Sequence, residues 1–135
     1  MIPPPTPVLI QELLGIEALT DEVGDRIGTD LEAPLPALRV ALAGYQGGSA
    51  TGWESMPMFQ VDVWAETEGQ AESLAWHLVN YWPSAESRVL EQGGAISGRW
   101  IVQLPISLPP DDDGAKDTGY SRYMVTVGFR LTSLT

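Results

Sequence analysis

The feature that most constrains this chain is a change of apolar period, from two to about 3.6, within residues 58–82. Phe59, Val61, Val63 and Ala65 alternate with Gln60, Asp62, Trp64 and Glu66, the pattern of a strand with one face in a core and the other toward solvent. Thr67 stands three residues before Gln70. Its hydroxyl can accept the Gln70 backbone N–H while the Gln70 side chain reaches back to the Thr67 N–H, so a helix opens there. Ala71, Leu74, Ala75, Leu78, Val79 and Trp82 then recur at helical spacing as one apolar stripe, and Pro83 ends it. Each large side chain of the stripe contributes about 1.5–3 kcal/mol when fully buried. The nearest surface able to bury it is the strand's own apolar face, so the unit predicts a helix over residues 69–82 lying across a sheet.

The rest of the chain supplies more strands for that helix to cover. Pro3, Pro4, Pro5 and Pro7 predict an extended, polyproline-like arm over residues 1–7. Leu9, Ile10, Leu13 and Leu14 predict a short helix from residue 8, with Thr6 as cap and Pro7 at the tolerated first position. Gly15 and the acidic residues Asp21, Glu22 and Asp25 predict a turn after it, and Pro34 and Pro36 close the segment. Leu38, Val40 and Leu42, alternating with Arg39 and Ala41, predict a strand over 37–43.

Residues 44–57 read as a long Gly-rich connection carrying Tyr45, Trp53 and Met56, and loops of that length in a compact domain are usually functional or disordered. These three residues either pack back on the domain or contact another chain; both readings are open. Residues 84–94 read as one or two helical turns capped by Ser84 and stopped by Gly93. Residues 98–108 read as a strand with Trp100, Val102, Leu104 and Ile106 on one face, Pro105 demoting its far half to an edge or a bulge. A second long polar loop follows over 109–119, and then the longest strand, with Tyr123, Val125, Val127, Phe129 and Leu131 on one face. The expectation is an α+β fold: a mixed or antiparallel sheet of about four strands with helices packed on one face, residues 8–135 forming a single domain.

Charge narrows the function. Lys+Arg 7 against Asp+Glu 18 give a net charge of −11, a surface that repels nucleic acid rather than wrapping it. Residues 1–91 hold 14 acids and three bases, whereas residues 92–135 balance. The plain reading is a solvated acidic surface that favours solubility. The chain has no cysteine, which excludes disulfides and thiolate metal sites and fits a reducing compartment. No apolar run approaches the ~20 residues of a membrane span, and the first residues have neither the basic start nor the apolar core of a signal peptide. A soluble, cytosolic protein without membrane association is expected.

No constellation for chemistry emerges. His77 is the only histidine and lies on the helix near Ser73, Asn80 and Tyr81, away from the stripe, as an ordinary surface residue. Asp111, Asp112 and Asp113 before Gly114 lack the alternating ligands and distal glutamate of a calcium loop and read as a solvated turn. The glycines at 44–52 and 93–94 carry no lysine at phosphate-binding spacing. No catalytic residue, metal or cofactor is expected, and the chain does not read as an enzyme.

The elements run helix, proline-rich turn ending in Leu35, Pro36, Ala37, Leu38, Arg39 and Val40, long Gly-rich connection, strand to Trp64 and Ala65, helix opening at Thr67, and two long C-terminal strands. This order resembles the tail terminator (tail completion, head–tail joining) proteins of long-tailed bacteriophages, particularly those of actinobacterial hosts, over most of the chain. The resemblance implies a small α+β structural subunit of the virion, assembled in the host cytoplasm. It would form a ring with copies of itself, usually sixfold, at the head-proximal end of the tail tube. Its partners would be the tail tube protein on one side and head or neck connector proteins on the other, with DNA passing through without specific binding. On that reading Tyr45, Trp53 and Met56 are the expected subunit contacts. Asp111, Asp112 and Asp113 would lie at the rim or lumen, repelling passing phosphates. The alternatives are another neck or head–tail connector component, or an acidic DNA-mimic inhibitor, which would be a monomer with acids spaced like phosphates along one face.

Overall fold

The computed structural model of the chain describes residues 2–48, 53–90, 93–108 and 120–133. Its elements are α1 (Pro5–Leu14), α2 (Glu17–Val23), β1 (Ile27–Gly28), β2 (Ala37–Gly48), β3 (Glu54–Ala65), α3 (Glu68–Tyr81), β4 (Arg88–Val89), β5 (Ala95–Leu108) and β6 (Ser121–Thr132). The strands form one sheet in the order β1-β2-β3-β6-β5-β4. β1 pairs with β2 in parallel, and every other pairing is antiparallel. The expected α+β class and mixed sheet hold, with six strands in place of about four.

The period-two pattern of β3 sets the two faces. Phe59, Val61, Val63 and Ala65 are fully buried. Val61 pairs with Val40 and Val125 on its two sides, and Val63 with Leu38 and Tyr123, so one inner face runs across three strands. α3 lies over it. The Thr67 hydroxyl accepts the Gln70 backbone N–H at 3.2 Å, and Ala71, Leu74, Ala75, Leu78 and Trp82 share one core with the sheet. Trp82 is the C-cap of α3; its Nε1–H donates to the Gly128 carbonyl at 3.1 Å. Its ring meets Phe129 edge-on at 5.8 Å, and Phe129 stacks on Phe59 at 5.9 Å. Each such aromatic pair contributes about 0.5–1.5 kcal/mol beyond the area it buries.

Several boundaries depart from expectation, each for a local reason. α1 opens at Pro5, inside the stretch read as an extended arm of residues 1–7, with Pro4 as N-cap and no side-chain cap bond. Thr6 is therefore not the cap. First-turn N–H groups have no intrahelical acceptor, so Pro5 and Pro7 forfeit no helical hydrogen bond. Pro3 is buried and Ile2 packs on the core, which ties the segment down. The acidic stretch after Gly15 is not a turn but α2, held because Leu19 and Val23, one helical turn apart, are both fully buried.

The Gly-rich connection of residues 44–57 is mostly strand, because β2 runs to Gly48 and β3 begins at Glu54. The helical turns expected after Ser84 are replaced by β4, whose Arg88 and Val89 pair with Ile96 and Ala95. The Ser84 hydroxyl donates backward to the Tyr81 carbonyl at 2.9 Å instead of capping forward. β5 does not present Trp100, Val102, Leu104 and Ile106 as one core face: Val102, Leu104 and Ile106 are exposed, while Ile96 and Arg99 are buried. Register shifts against β6 at Ser97/Arg99, Ile101/Gln103 and Gln103/Ile106 change which side chains point inward, as bulges do.

Candidate assembly surfaces

On the outer face of the sheet, opposite α3, Asp62 is 2% exposed. It sits on β3 between Arg39 of β2 and Met124 of β6. One carboxylate oxygen, Oδ2, accepts from Arg39 Nη2 at 2.9 Å and from Arg122 Nη2 at 3.1 Å. The other, Oδ1, accepts from the Gln60 amide at 3.0 Å. Both guanidinium groups also lie over the Trp64 ring, at 5.9 Å and 5.3 Å from its centroid, so Trp64 is buried on the face that its polar neighbours share. A carboxylate this deep is tolerated only because two cations and an amide satisfy it. The signal for this group is a tryptophan at polar parity two residues from an aspartate, with arginines on flanking strands. Period alone does not reveal it, because the strand order decides which arginines are neighbours.

Further along the same face Trp100 crosses Gly128, and its Nε1–H donates to Gln46 of β2. A Cβ at Gly128 would stand 2.8 Å from Trp100 Cε2 and 2.9 Å from Gln46 Oε1. Here glycine is required for the close approach of a ring, not for its backbone freedom. Arg130 pairs with Glu54 nearby. Three arginines, Arg39, Arg122 and Arg130, thus stand on this face, while the exposed acids Glu17, Asp21, Glu22, Glu68 and Glu72 stand on the helical layer.

A second buried charge group ties that layer to the sheet. Arg99 of β5 donates to the Ala85 and Glu86 carbonyls at 2.8 Å and 2.9 Å and to Glu12 of α1 at 2.7 Å. Its guanidinium lies 5.8 Å from the Trp82 ring centroid. Glu12 also pairs with Arg88 at 2.9 Å. The constellation therefore fastens α1, the end of α3 and β5 at one point, a structural use of charge.

Two open clefts accompany these surfaces. One, of about 300 Å³, is lined by Leu31, Glu32, Pro34, Leu35, Glu66 and Tyr120 among others. The other, of about 440 Å³, is lined by Ile16, Glu17, Asp21, Tyr81 and Ser84 among others. Ser84 in the second cleft bonds a carbonyl, not a base. His77 is half-buried and lies tilted against Tyr81 at 6.5 Å between centroids. Among the described residues no group of three or more His, Cys, Asp or Glu side chains could hold a metal ion, and no helix is long and apolar enough to cross a membrane.

Tyr45, Trp53 and Met56 do not share a loop. Tyr45 lies on β2 opposite Pro57, Met56 on β3 opposite Gly47, and Trp53 just before β3, where its carbonyl accepts the Ser133 N–H at 2.8 Å. Tyr45 is 53% and Trp53 59% exposed; Met56 is half-buried. Asp111, Asp112 and Asp113 lie outside the described residues.

No protein-family model matches the chain, and no curated protein matches it. Among solved structures the chain is similar to one from a particle described as the virion of a native gene transfer agent (GTA). The TM-score is 0.63 and the identity 16%, and the match covers 91% of this chain and 90% of that chain. At that identity the likeness is one of fold.

Proposed function

We propose that this chain is a structural, non-enzymatic subunit of a phage-like virion: a tail terminator that caps the head-proximal end of the tail tube as a ring and joins it to the head or neck. The observation that carries the reading is the fold shared over about nine-tenths of both chains with a chain of a gene transfer agent virion. Its element order, read from sequence, resembles that of the tail terminator proteins of long-tailed bacteriophages. A net charge of −11 suits a conduit through which DNA slides without adhering. The partners on this reading are further copies of the chain, the tail tube protein and head or neck connector proteins.

Negative-stain microscopy and light scattering on the purified protein, alone and mixed with tail tubes, test the proposal. Rings, and caps at one end of the tubes, are expected. A neck connector would leave the tubes uncapped, and a DNA mimic would stay a monomer and inhibit a DNA-binding protein. Tyr45, Trp53 and Met56 belong at the subunit contact on this view, because aromatic residues and methionine are enriched at interfaces and Tyr45 and Trp53 are exposed. Their joint replacement by serine should abolish rings; rings that survive would move the contact elsewhere. Asp111, Asp112 and Asp113 are assigned to the rim or lumen. Changing all three to lysine should give the assembled ring salt-sensitive DNA retention, and an unaltered ring would remove the assignment while leaving the cap intact.

A further inference from the structure

The sheet ends in two open edges. β1 covers only Leu38 and Arg39 of β2, and β4 covers only Ala95 and Ile96 of β5. Among the described residues nothing pairs with the outer side of β2 from residue 40 onward or of β5 from residue 97 onward. Such edges are normally blunted by charge, yet residues 40–48 and 100–108 contain no Asp, Glu, Lys or Arg in a chain that holds 25 of them. Both edges also display apolar side chains. Leu42 and Tyr45 are 44% and 53% exposed on one, and Val102, Leu104 and Ile106 are 38%, 55% and 38% exposed on the other.

We infer that these two edges are the two halves of one contact between copies of this chain, β5 of one copy pairing with β2 of the next. Strand direction supports this. β2 is antiparallel to β3, β3 to β6 and β6 to β5, so β2 and β5 run in opposite directions at the two ends of the sheet. A second copy added head to tail brings its β2 alongside β5 in antiparallel register, the better-bonded pairing. Charge points to the same occupant. Two chains of −11 repel through most of their surfaces, and the uncharged edges are where they can meet without opposing carboxylates. Because the contact joins two different surfaces, it propagates until rotation closes it into a ring. Pro105 and the shifts in β5 confine the pairing to a short stretch, so side chains contribute as much as the ladder.

The inference rests on the ring reading and specifies its contact. Since the chain has no cysteine, the pairs Leu42→Cys with Val102→Cys, Leu104→Cys or Ile106→Cys can be joined by a short bismaleimide, which tolerates uncertainty in register. At least one double variant should yield a covalent ladder of multimers, while the single variants yield dimers at most. Separately, Leu42→Lys and Leu104→Lys should each raise the concentration needed for assembly at least tenfold with an unchanged melting temperature. If the wild type assembles but no pair cross-links and both lysine variants assemble normally, the edge contact is wrong and the ring survives. If the wild type stays monomeric at every concentration and on tail tubes, the ring reading fails and the contact with it. A monomer whose lysine variants lose binding to a different protein would assign the edges to that partner and overturn the second-copy occupant.

Discussion

The two faces of the sheet bury comparable structures by opposite means. The inner face is apolar across β2, β3 and β6 and closed by a separate layer, with Leu74 and Leu78 of α3, Leu9 and Leu13 of α1 and the Phe59, Phe129 and Trp82 rings in one core. The outer face has no helix over it among the described residues, and there Asp62 and Trp64 are buried by arginines reaching across from neighbouring strands. Alternation along a strand explains why one side demands a covering layer. It does not explain the other side, where burial is built from charge pairing and flat stacking between strands that are distant in sequence. The inner face depends on volume and the outer on partnership, and the two should fail differently.

The largest expected effect is on the inner face. Leu78 is fully buried in the middle of the α3 stripe, and Leu78→Asp puts a carboxylate into the apolar core. A loss of more than about 4 kcal/mol is expected, enough to unfold most domains; a urea titration by circular dichroism checks it. An unchanged midpoint would mean that α3 does not rest on the sheet as described.

Asp62→Ala tests the outer face by the same measurement. Removing one partner of a buried ion pair usually costs 3–5 kcal/mol. Here roughly 3 kcal/mol is expected, because the Arg39 side chain is 33% exposed and can rehydrate while that of Arg122, at 11%, cannot. Arg39→Ala should therefore cost less than Arg122→Ala. The reverse order would mean that exposure does not govern this cluster.

Gly128→Ala probes the seam between the faces, since Gly128 offers its carbonyl to Trp82 on the inner side and room to Trp100 on the outer. The added methyl group should cost about 1–3 kcal/mol by overpacking. If the cause is the Trp100 ring, Trp100→Ala in the same chain should recover part of the loss, giving a coupling of at least about 0.5 kcal/mol in a double-mutant cycle. Strict additivity would point to backbone strain in its place.

What was legible in the sequence follows the same division. The β3–α3 unit and the inner face of β6 could be read from residues 58–82 and 120–132, because period reports which side of an element faces a core. β5 could not, because three register shifts break the alternation that a period reading assumes. α2 was hidden by its acids, which say only that one side is wet, while Leu19 and Val23 alone mark the other. The long strands β2 and β3 were hidden where Gly44, Gly47 and Gly48 look like loop residues. Of the candidate contacts, Tyr45 and Trp53 could be singled out as apolar residues among glycines. Their placement by strands, and the Arg39, Asp62 and Arg122 group, depend on which strands are neighbours. That is a property of topology, not of local pattern.

The smallest effect concerns the rim where the two layers meet. The Tyr123 hydroxyl of β6 lies 3.3 Å from Glu68 Oε1 and 3.2 Å from Glu72 Oε2 on α3, and its one proton can be donated to either carboxylate. Burial of the phenol, and then the negative charge and hydrogen bond of Glu72 followed by those of Glu68, raise its pKa above the ordinary 10.0. The folded protein therefore holds this proton to higher pH than the unfolded chain does. Wherever the folded state binds more protons, stability falls as pH rises. The stabilisation from Tyr123 should be complete below about pH 10 and be lost as pH climbs through the raised value. Tyr123→Phe removes both the bond and the titration, so it should be slightly less stable than wild type at pH 7–9, and the gap should close or reverse above pH 10. Titrations common to both proteins cancel in that difference. Urea midpoints measured for the pair from pH 7 to 11 check it: parallel curves would mean that the Tyr123 hydroxyl does not join β6 to α3 in solution.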